Sequence, residues 1–370
     1  MSPQTVMKAV VFDGPYKVSI QDRPIPQLQD DNDIIVKVSA SALCGSELHV
    51  FRGHQPSATG FIMGHEFTGT VVAAGPTVKS VQVGDKVVSA FTTSCGECFY
   101  CTHDSSSRCV KCQLFGSKVL DGGQAEFVRV PLADGTVAKA PPAISDQALV
   151  LMADIFPTGY FGVKSAIQMS PSIDVRDATI VVVGCGPVGL CAIVAAAHLQ
   201  PKHLFAIDMV DSRLEQAKKL GAEPLNSAKD KEGLEARIKE VTDGRGADMV
   251  VEVVGLSPAL RTAFDLVRPF GTISSIGVHN AEVWSFYKDG MSYADSIQVP
   301  WTGNEAYGKN IRLQMGRCPV RSVFPEALAL LEKKQHLLSF MFENIMPLSS
   351  AVEGYQLFDQ LKVQKVVFTP

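Results

Sequence analysis

The chain has 370 residues, of which 46% are hydrophobic and 19% are charged, and its formal net charge is −4. This length exceeds what one hydrophobic core usually supports, so two domains are expected. The weakly negative charge and the absence of a basic run argue against a nucleic acid or an anionic membrane as a partner.

The nine cysteines favour metal or thiol chemistry over disulfide bonds. The first residues show no basic region followed by an apolar run, so we expect no secretory signal. The cytoplasm is therefore the expected location of the protein.

The first part of the chain is predicted to be rich in β-strands. Residues 7–20 alternate around a turn, which is typical of a hairpin. Residues 33–40 form a further predicted strand, rich in valine and isoleucine, and residues 67–74 and 81–90 continue the pattern, with glycines and prolines between these runs. Many short strands separated in this way predict a barrel-like domain.

Between these strands, Cys44 and His65 each lie beside a glycine. A thiolate and an imidazole are a ligand pair that suits zinc. They are about twenty residues apart, which is too far for a zinc-finger knuckle and is typical of the scattered ligands of a catalytic zinc. Taken singly, each residue has a simpler interpretation as a buried cysteine or a hydrogen-bonded core histidine. Together they favour a zinc site.

Residues 44–49, with the sequence CGSELH, and residues 64–66, with the sequence GHE, resemble the zinc-containing medium-chain alcohol dehydrogenase superfamily. The resemblance implies that Cys44 and His65 bind the catalytic zinc. It also implies a chaperonin-10-like, β-rich catalytic domain and a doubly wound parallel Rossmann sheet, which together form an α/β protein.

The same resemblance assigns roles to the neighbouring residues. Ser46 and His49 are implied to form a proton relay that passes through the cofactor ribose. Glu66 is implied to lie beside the metal, which it can approach. Glu47 stands where the family usually has aspartate, an acid that supports the zinc-bound histidine. Without the zinc motif, Ser46 would be interpreted as a capping hydroxyl and His49 as a surface histidine.

A second group of cysteines has the pattern C-x2-C-x2-C-x7-C, formed by Cys95, Cys98, Cys101 and Cys109. Four thiolates in one loop suit a closed, tetrahedral zinc site, which would order a loop with few apolar residues. The spacing matches the structural-zinc lobe of the same family, and the alternative is a cluster of free or redox-active thiols. Cys112 and His103 lie in the same loop and are interpreted as bystanders.

Asp154 lies in an apolar segment, where a carboxylate without a partner is costly and a metal would supply one. Family members place their third catalytic ligand, a Cys, Asp or Glu, just before a Thr-Gly pair such as Thr158-Gly159. The resemblance therefore implies that Asp154 is the third ligand. Two alternatives stay open, namely an N-cap role for Asp154 and Glu66 as the third ligand.

A dinucleotide-binding pattern follows at residues 179–199. A β-branched run leads directly into Gly184-x-Gly186-x-x-Gly189 and then into an alanine-rich segment. The glycines permit a tight turn and the close approach of a pyrophosphate to a helix N-terminus. This pattern explains an apolar stretch, residues 178–199, that is otherwise long enough for a membrane span.

Asp208 ends the next predicted strand, about twenty residues beyond the glycines, where an acid binds the adenosine ribose. A carboxylate at this position repels a 2′-phosphate, so NAD is favoured over NADP, and Arg213 would soften that preference. Val254, Gly277 and Val278 follow later strands and are expected to line the nicotinamide or to belong to the core. The complete set assigned to the cofactor is Thr158, Gly184, Gly186, Pro187, Val188, Gly189, Asp208, Arg213, Val254, Gly277 and Val278.

Strands and helices alternate between residues 175 and 298, which predicts a doubly wound parallel sheet. We therefore expect a catalytic domain at residues 1–152, an NAD-binding domain at 153–298 and a segment at 299–370 that rejoins the first domain, as in the family. The expected partners are a small alcohol or carbonyl substrate and further copies of the chain, in a homodimer or homotetramer.

The predicted function is a zinc-dependent oxidoreductase that interconverts an alcohol and an aldehyde or ketone with NAD(H) and carries two zinc ions per chain. Residues 154–160 also resemble the glutathione-independent formaldehyde dehydrogenase and dismutase branch, in which NAD would be held tightly. A non-enzymatic NAD-binding protein on the same scaffold is the alternative from another class. A zinc-free quinone reductase is disfavoured, because that branch lacks these ligands.

Overall fold

The computed structural model describes residues 4–279 and 299–370. The strands in these ranges are β1 (Val6–Gly14), β2 (Lys17–Pro24), β3 (Ile34–Ala42), β4 (Glu66–Ala74), β5 (Lys86–Ser89), β6 (Phe127–Val130), β7 (Val137–Lys139), β8 (Thr179–Val183), β9 (His203–Asp208), β10 (Glu223–Asn226), β11 (Ala247–Glu252), β12 (Val267–Ser275), β13 (Arg312–Met315), β14 (Ile345–Pro347) and β15 (Val367–Thr369).

The helices in the same ranges are α1 (Gly45–Phe51), α2 (Phe99–Thr102), α3 (Ala133–Thr136), α4 (Asp146–Leu149), α5 (Ile155–Gln168), α6 (Pro187–His198), α7 (Asp211–Lys219), α8 (Lys231–Val241), α9 (Ser257–Leu266), α10 (Gly303–Lys309), α11 (Val320–Lys334) and α12 (Ala351–Asp359). Short 3₁₀ helices include Ser106–Arg108 and Val150–Ala153.

The chain divides into two compact units, Met1–Pro157 with Pro319–Pro370, and Thr158–Cys318. The boundaries predicted from the sequence differ from this division. Residues 299–318 fall in the second unit, because β13 pairs in parallel with β12 and Trp301 stacks on Phe264 with the ring centroids 4.6 Å apart. The predicted boundary at residue 298 lies outside the described residues.

The first unit is rich in β-structure, as predicted. Its larger sheet has the order β14-β15-β3-β4-β5-β7, with β6 also paired to β3, and β1 and β2 form the predicted hairpin. Strand β3 lies in the middle of this sheet, and its core-facing residues Ile34 and Val36 pack with Phe67 and Val128. Two neighbours of β3, namely β4 and β15, position residues of the candidate site described below.

The second unit is the predicted doubly wound sheet. Six strands, all parallel to their neighbours, have the order β10-β9-β8-β11-β12-β13. Chain order reverses between β8 and β11, and a ligand binds such a sheet outside the carboxyl ends of the strands at that point. Because β8 is buried along its whole length, its five residues are all apolar or β-branched.

No helix in the described ranges combines the length and the apolar composition that a membrane crossing needs. The long apolar stretch at residues 178–199 contains β8 and α6, which are separated by the turn at Gly184–Gly186. The apolar composition therefore reflects burial of this strand and helix within the second unit.

Candidate active site

Four residues from three separate segments of the sequence converge in the first unit. Cys44, His65, Glu66 and Asp154 each offer one ligand atom, and these four atoms all lie within 4.8 Å of one another. Cys44 is the residue before α1, His65 and Glu66 lie at the start of β4, and Asp154 follows the 3₁₀ helix Val150–Ala153. The structure therefore brings together the three residues that the sequence predicted as ligands and Glu66, the alternative third ligand.

The spacing within this cluster fits zinc. Around a tetrahedral zinc ion with ordinary bond lengths, nitrogen and oxygen ligands lie about 3.3–3.4 Å apart, and a sulfur ligand lies about 3.5–3.6 Å from either. The Asp154 Oδ2 atom is 3.6 Å from Cys44 Sγ and 3.3 Å from His65 Nε2. Burial first, and then the Asp154 carboxylate, raises the pKa of the Cys44 thiol, so a cation would favour the thiolate at this position.

Glu47 orients the cluster. One of its carboxylate oxygens is 3.2 Å from His65 Nδ1, and the other accepts a hydrogen bond of 3.0 Å from the Cys44 backbone N–H. With Nδ1 bound to an acid, the Nε2 atom of His65 is left to face the metal position. Burial alone would lower the pKa of His65, but Glu47 and Asp154 outweigh it and raise this pKa well above its usual value. The longer glutamate thus makes the supporting contact expected of the family's aspartate.

The two residues of the predicted proton relay lie on α1. Ser46 Oγ is 3.2 Å from Cys44 Sγ and 3.4 Å from His65 Nε2, so its hydroxyl lies directly beside the metal cluster. His49 follows one helical turn later. Burial, and then the charges of His54 and Arg52, lowers the pKa of His49.

Glu66 has a partner that the sequence did not reveal. Its Oε2 atom forms an ion pair with the Nζ atom of Lys365, and both side chains are completely buried. Its Oε1 atom is buried and has no hydrogen-bond partner within the described residues. The two residues are 299 positions apart, so no local pattern could have indicated the pair.

The four-cysteine loop forms a second cluster, in which the ligand sulfurs of Cys95, Cys98, Cys101 and Cys109 all lie within 4.8 Å of one another. Sulfurs around a tetrahedral zinc lie about 3.8 Å apart. The sulfur–sulfur distances are 3.6 Å for Cys98–Cys101, 3.5 Å for Cys95–Cys109 and 4.0 Å for Cys95–Cys101. These distances fit a closed zinc site.

Backbone N–H groups around this cluster favour thiolates. Those of Cys95 and Lys111 both donate to Cys109 Sγ, at 3.2 Å and 3.3 Å. Hydrogen bonds from the backbone of Val110 and Cys101 lower the pKa of Cys98 to about 6, whereas burial raises the pKa of Cys101 to about 12. Neither Cys112 nor His103 joins the cluster.

In the second unit, the glycine pattern forms the turn between β8 and α6. Gly184 has a φ of +98°, and a side chain at Gly189 would place its Cβ 1.8 Å from the Gly184 carbonyl oxygen. At Gly186 a Cβ would meet nothing within 4 Å, so the backbone before the helix is open to a ligand. Pro187 and Val188 begin the first turn of α6. Pro187 has no N–H group, so a pyrophosphate would meet the backbone N–H groups that follow it. The turn therefore fits a dinucleotide.

Asp208 lies beside this turn. Its Oδ2 atom accepts a hydrogen bond of 2.7 Å from the Cys185 backbone N–H, and its Oδ1 atom accepts bonds from Met209 and Val210. Arg213 approaches the same carboxylate, with its Nη1 atom 3.8 Å from Oδ2. The acid is thus held at the end of β9, next to the glycine turn, as the ribose-binding prediction requires.

The remaining predicted cofactor residues lie near strand ends, together with an acid that the prediction omitted. Val254 and Val278 are 41% and 42% exposed. Gly277 packs so closely on Gly255 that a Cβ at position 277 would lie 2.1 Å from the backbone nitrogen of Gly255. The fully buried Glu252 accepts the N–H groups of Val254 and Gly255 at 2.7 Å each. Its only signal in the sequence is a lone acid within the apolar run 249–254.

Thr158 lies in α5 and is almost fully buried. It belongs to the second unit, with the other residues assigned to the cofactor. All three predicted ligands of the catalytic zinc belong to the first unit.

Comparisons with known proteins identify the family to which the chain belongs. Residues 30–142 match the family model described as the alcohol dehydrogenase GroES-like domain, and residues 187–333 match the model described as zinc-binding dehydrogenase. Zinc-type alcohol dehydrogenase B of Aspergillus flavus is 60% identical over 368 residues, which cover 100% of this chain and 82% of the relative.

Two further comparisons extend the match. The structure of alcohol dehydrogenase TADH from Thermus sp. ATN1 superposes with a TM-score of 0.88 at 32% identity, covering 98% of this chain and 99% of that one. Formaldehyde dismutase of Pseudomonas putida is 29% identical, with 98% of this chain and 97% of the relative covered. The chain is a zinc oxidoreductase that acts on small molecules, and it belongs to the zinc-containing medium-chain alcohol dehydrogenase superfamily.

Proposed function

We propose that this protein is an NAD-dependent zinc alcohol dehydrogenase, which interconverts an alcohol and an aldehyde or ketone by hydride transfer. The observation that carries the proposal is the cluster of Cys44, His65 and Asp154. It combines one sulfur, one nitrogen and one oxygen ligand at tetrahedral spacing, which is the three-ligand set typical of a catalytic rather than a structural zinc.

In this proposal Cys44, His65 and Asp154 hold the catalytic zinc, and the four-cysteine loop holds a second, structural zinc. When bound, the catalytic zinc supplies a Lewis acid that polarises the substrate oxygen. Glu47 keeps the imidazole of His65 in the tautomer that binds a metal. NAD supplies the hydride acceptor.

The residues of the chain remove the hydroxyl proton. Ser46 Oγ, beside Cys44 Sγ and His65 Nε2, is placed to accept the proton of a substrate hydroxyl while its own hydroxyl proton passes on towards His49. His49 has a lowered pKa, so its imidazole is neutral near pH 7 and can accept a proton for release to water. The same two groups would return a proton when a carbonyl is reduced.

The choice of NAD rests on Asp208. Replacing it with asparagine is expected to lower kcat/KM with NAD about 10–100-fold, because a charged hydrogen-bond acceptor for the ribose is lost. The kcat/KM with NADP should stay constant or rise, since the negative charge that repels a 2′-phosphate is removed. Initial rates with both cofactors measure the change.

Asp211→Asn is the matched control, because Asp211 is an exposed acid three residues further on and its side chain pairs with Lys229. It should leave the NAD/NADP ratio unchanged. Equal losses with NAD and NADP in Asp208→Asn would refute the ribose role.

The resemblance to the formaldehyde dehydrogenase and dismutase branch supports a second candidate function. In this function the protein is a formaldehyde dehydrogenase or dismutase with tightly held NAD. It is favoured by the segment Asp154–Tyr160 and by the full-length similarity to formaldehyde dismutase. Heat denaturation of the purified protein, followed by an enzymatic assay of the supernatant, distinguishes the two. Release of about one NAD per chain supports this second candidate. Release of no NAD supports the alcohol dehydrogenase proposed first.

The main test is a panel of alcohols and aldehydes, assayed in both directions by NADH absorbance, with metal analysis of the same protein. We expect turnover of at least one alcohol–carbonyl pair and two zinc ions per chain. A folded protein that binds NADH but turns over no member of the panel would support the non-enzymatic alternative.

We also propose that the chain forms a homodimer or homotetramer. Among the described residues, strand β13 is at the edge of the six-stranded sheet, and all four of its residues are exposed. An exposed edge strand is a surface on which a second chain can pair.

A further inference from the structure

A chain of buried hydrogen bonds leads from the candidate metal site to the helix α12. It starts at Glu47, whose carboxylate accepts hydrogen bonds from the backbone N–H groups of His65, at 3.1 Å, and Cys44, at 3.0 Å. A further donor is the side-chain amide of Gln124, whose Nε2 atom lies 3.4 Å from Glu47 Oε2. The Oε1 atom of Gln124 in turn accepts a hydrogen bond of 2.9 Å from the Tyr355 hydroxyl. Both Gln124 and Tyr355 are completely buried.

The chemistry of the three side chains fixes the direction of this chain of hydrogen bonds. The Glu47 carboxylate can only accept, so the NH₂ group of Gln124 has to face it. The carbonyl oxygen of Gln124 is then left to face Tyr355, whose hydroxyl has to donate. Burial, and then the charge of Glu47, raises the pKa of Tyr355 well above its usual value, so the phenol keeps the proton that it donates.

The backbone holds Gln124 beside the segment that carries a ligand. Its N–H group donates to the Met63 carbonyl at 2.9 Å. A Cβ at Gly64 would lie 2.5 Å from Gln124 Cγ, so the side chain lies directly against the residue before His65. The position of Gln124 is therefore fixed by its own surroundings, and the contact with Tyr355 sets the orientation of its amide.

Tyr355 lies where α12 packs on α1. Its ring centroid is 5.1 Å from that of Phe51, the last residue of α1. Both rings belong to one hydrophobic cluster with Leu43 and Leu48. Because Glu47 is on the same helix as Phe51, the contact of α12 with α1 brings the Tyr355 hydroxyl to the polar groups around this acid.

The amide needs such an anchor because its two ends are nearly the same in shape and opposite in hydrogen-bonding role. If the Gln124 amide turned over, its carbonyl oxygen would face the Glu47 carboxylate and repel it. Glu47 also has one more rotatable bond than the aspartate that the family usually has, so its carboxylate has more positions available to it. A displaced carboxylate would lose its contact of 3.2 Å with His65 Nδ1, which leaves Nε2 facing the metal position.

We propose that Tyr355 and Gln124 are positioning residues that lock the carboxylate of Glu47. The locked acid keeps Cys44 and His65 in the geometry that binds zinc. This inference rests on the proposed metal site. It assigns a role to a single hydroxyl group on α12, far in sequence from every proposed ligand.

The test compares the rates at which the parent protein and Tyr355→Phe release zinc to the coloured chelator pyridylazoresorcinol. Tyr355→Phe keeps the ring and removes only the hydroxyl. The release phase that is present in the parent and absent in Cys44→Ser belongs to the catalytic site. In Tyr355→Phe this phase should be about tenfold faster, because a group that orients a metal ligand is released. The phase of the four-cysteine site should keep its parent rate.

Tyr16→Phe is the matched control. Tyr16 also contacts the Phe51 ring, with the centroids 5.5 Å apart, but it is 61% exposed. Removing its hydroxyl should leave both release phases at their parent rates.

Two further variants separate positioning from a merely structural role. These are Gln124→Met and its combination with Tyr355→Phe. If the hydroxyl acts through the amide, the double variant should release the catalytic zinc no faster than Gln124→Met alone, whereas two independent packing defects would multiply their effects. If Tyr355→Phe does not fold, as judged by circular dichroism, the double variant replaces both polar groups by apolar groups of similar shape and is compared with the parent instead.

The outcomes are distinguishable. A parent-like release rate in folded Tyr355→Phe, or in the folded double variant, would overturn this inference alone. Faster release from both zinc sites, or multiplied effects in the double variant, would also overturn it, because the hydroxyl would then not act on Glu47 through Gln124. If the parent and Cys44→Ser release the same amount of zinc, the proposed metal site itself is wrong.

Discussion

Replacing Cys44 with serine is expected to lower kcat at least about 1000-fold, because the metal that polarises the substrate would be lost or misplaced. A serine hydroxyl is not deprotonated near neutral pH, so the buried site would lose one of its two anionic ligands. Zinc content should fall from two ions per chain to one. Steady-state rates and metal analysis of the purified variant measure both effects.

The binding of NADH should persist in Cys44→Ser, because the glycine turn and Asp208 belong to the other unit. The matched control is Cys112→Ser, which removes a half-buried cysteine outside both metal clusters and should retain full activity. Turnover close to that of the parent in Cys44→Ser would exclude Cys44 as an essential ligand.

Replacing Cys98 with serine is expected to lower the melting temperature by about 10 °C or more, because the binding energy of a structural zinc is also folding energy for its loop. The loop contributes few apolar contacts of its own. Cys98 and Cys101 are only half-buried, and α2 buries none of its four residues. Thermal unfolding and zinc content measure the effect.

Below the new melting temperature, kcat of Cys98→Ser should fall far less than that of Cys44→Ser, since this zinc does not contact substrate. Cys112→Ser again serves as the control. An unchanged melting temperature together with two bound zinc ions would contradict the assignment of Cys98 as a ligand.

Local patterns indicated where part of the candidate site lies. The four cysteines lie within one loop, so their spacing alone indicated a common ligand cluster, and the structure brings all four together. The turn after β8 was also predictable, because a buried β-branched strand, three glycines and a helix are adjacent in the sequence. In both cases short-range backbone geometry determines the arrangement.

Other features required the resemblance to a family. Cys44 and Asp154 are 110 positions apart, and no periodicity indicates that they meet. The sequence left Glu66 and Asp154 as competing third ligands. In the structure both approach the cluster, but Asp154 is at ligand distance from Cys44 and His65, whereas Glu66 is paired with Lys365. This arrangement supports Asp154.

Sequence alone was sufficient to locate features whose residues lie close together in the chain, or at a fixed spacing along it. These are the cysteine loop, the glycine turn and the acid that ends β9. The Lys365–Glu66 pair and the contact of Glu47 with His65 depend instead on the register of β3 with β4 and β15 and on the placement of α1. A lysine before an apolar strand normally indicates a solvated end. Here the neighbouring strands bury it against an acid, and that burial arises only when distant segments pair.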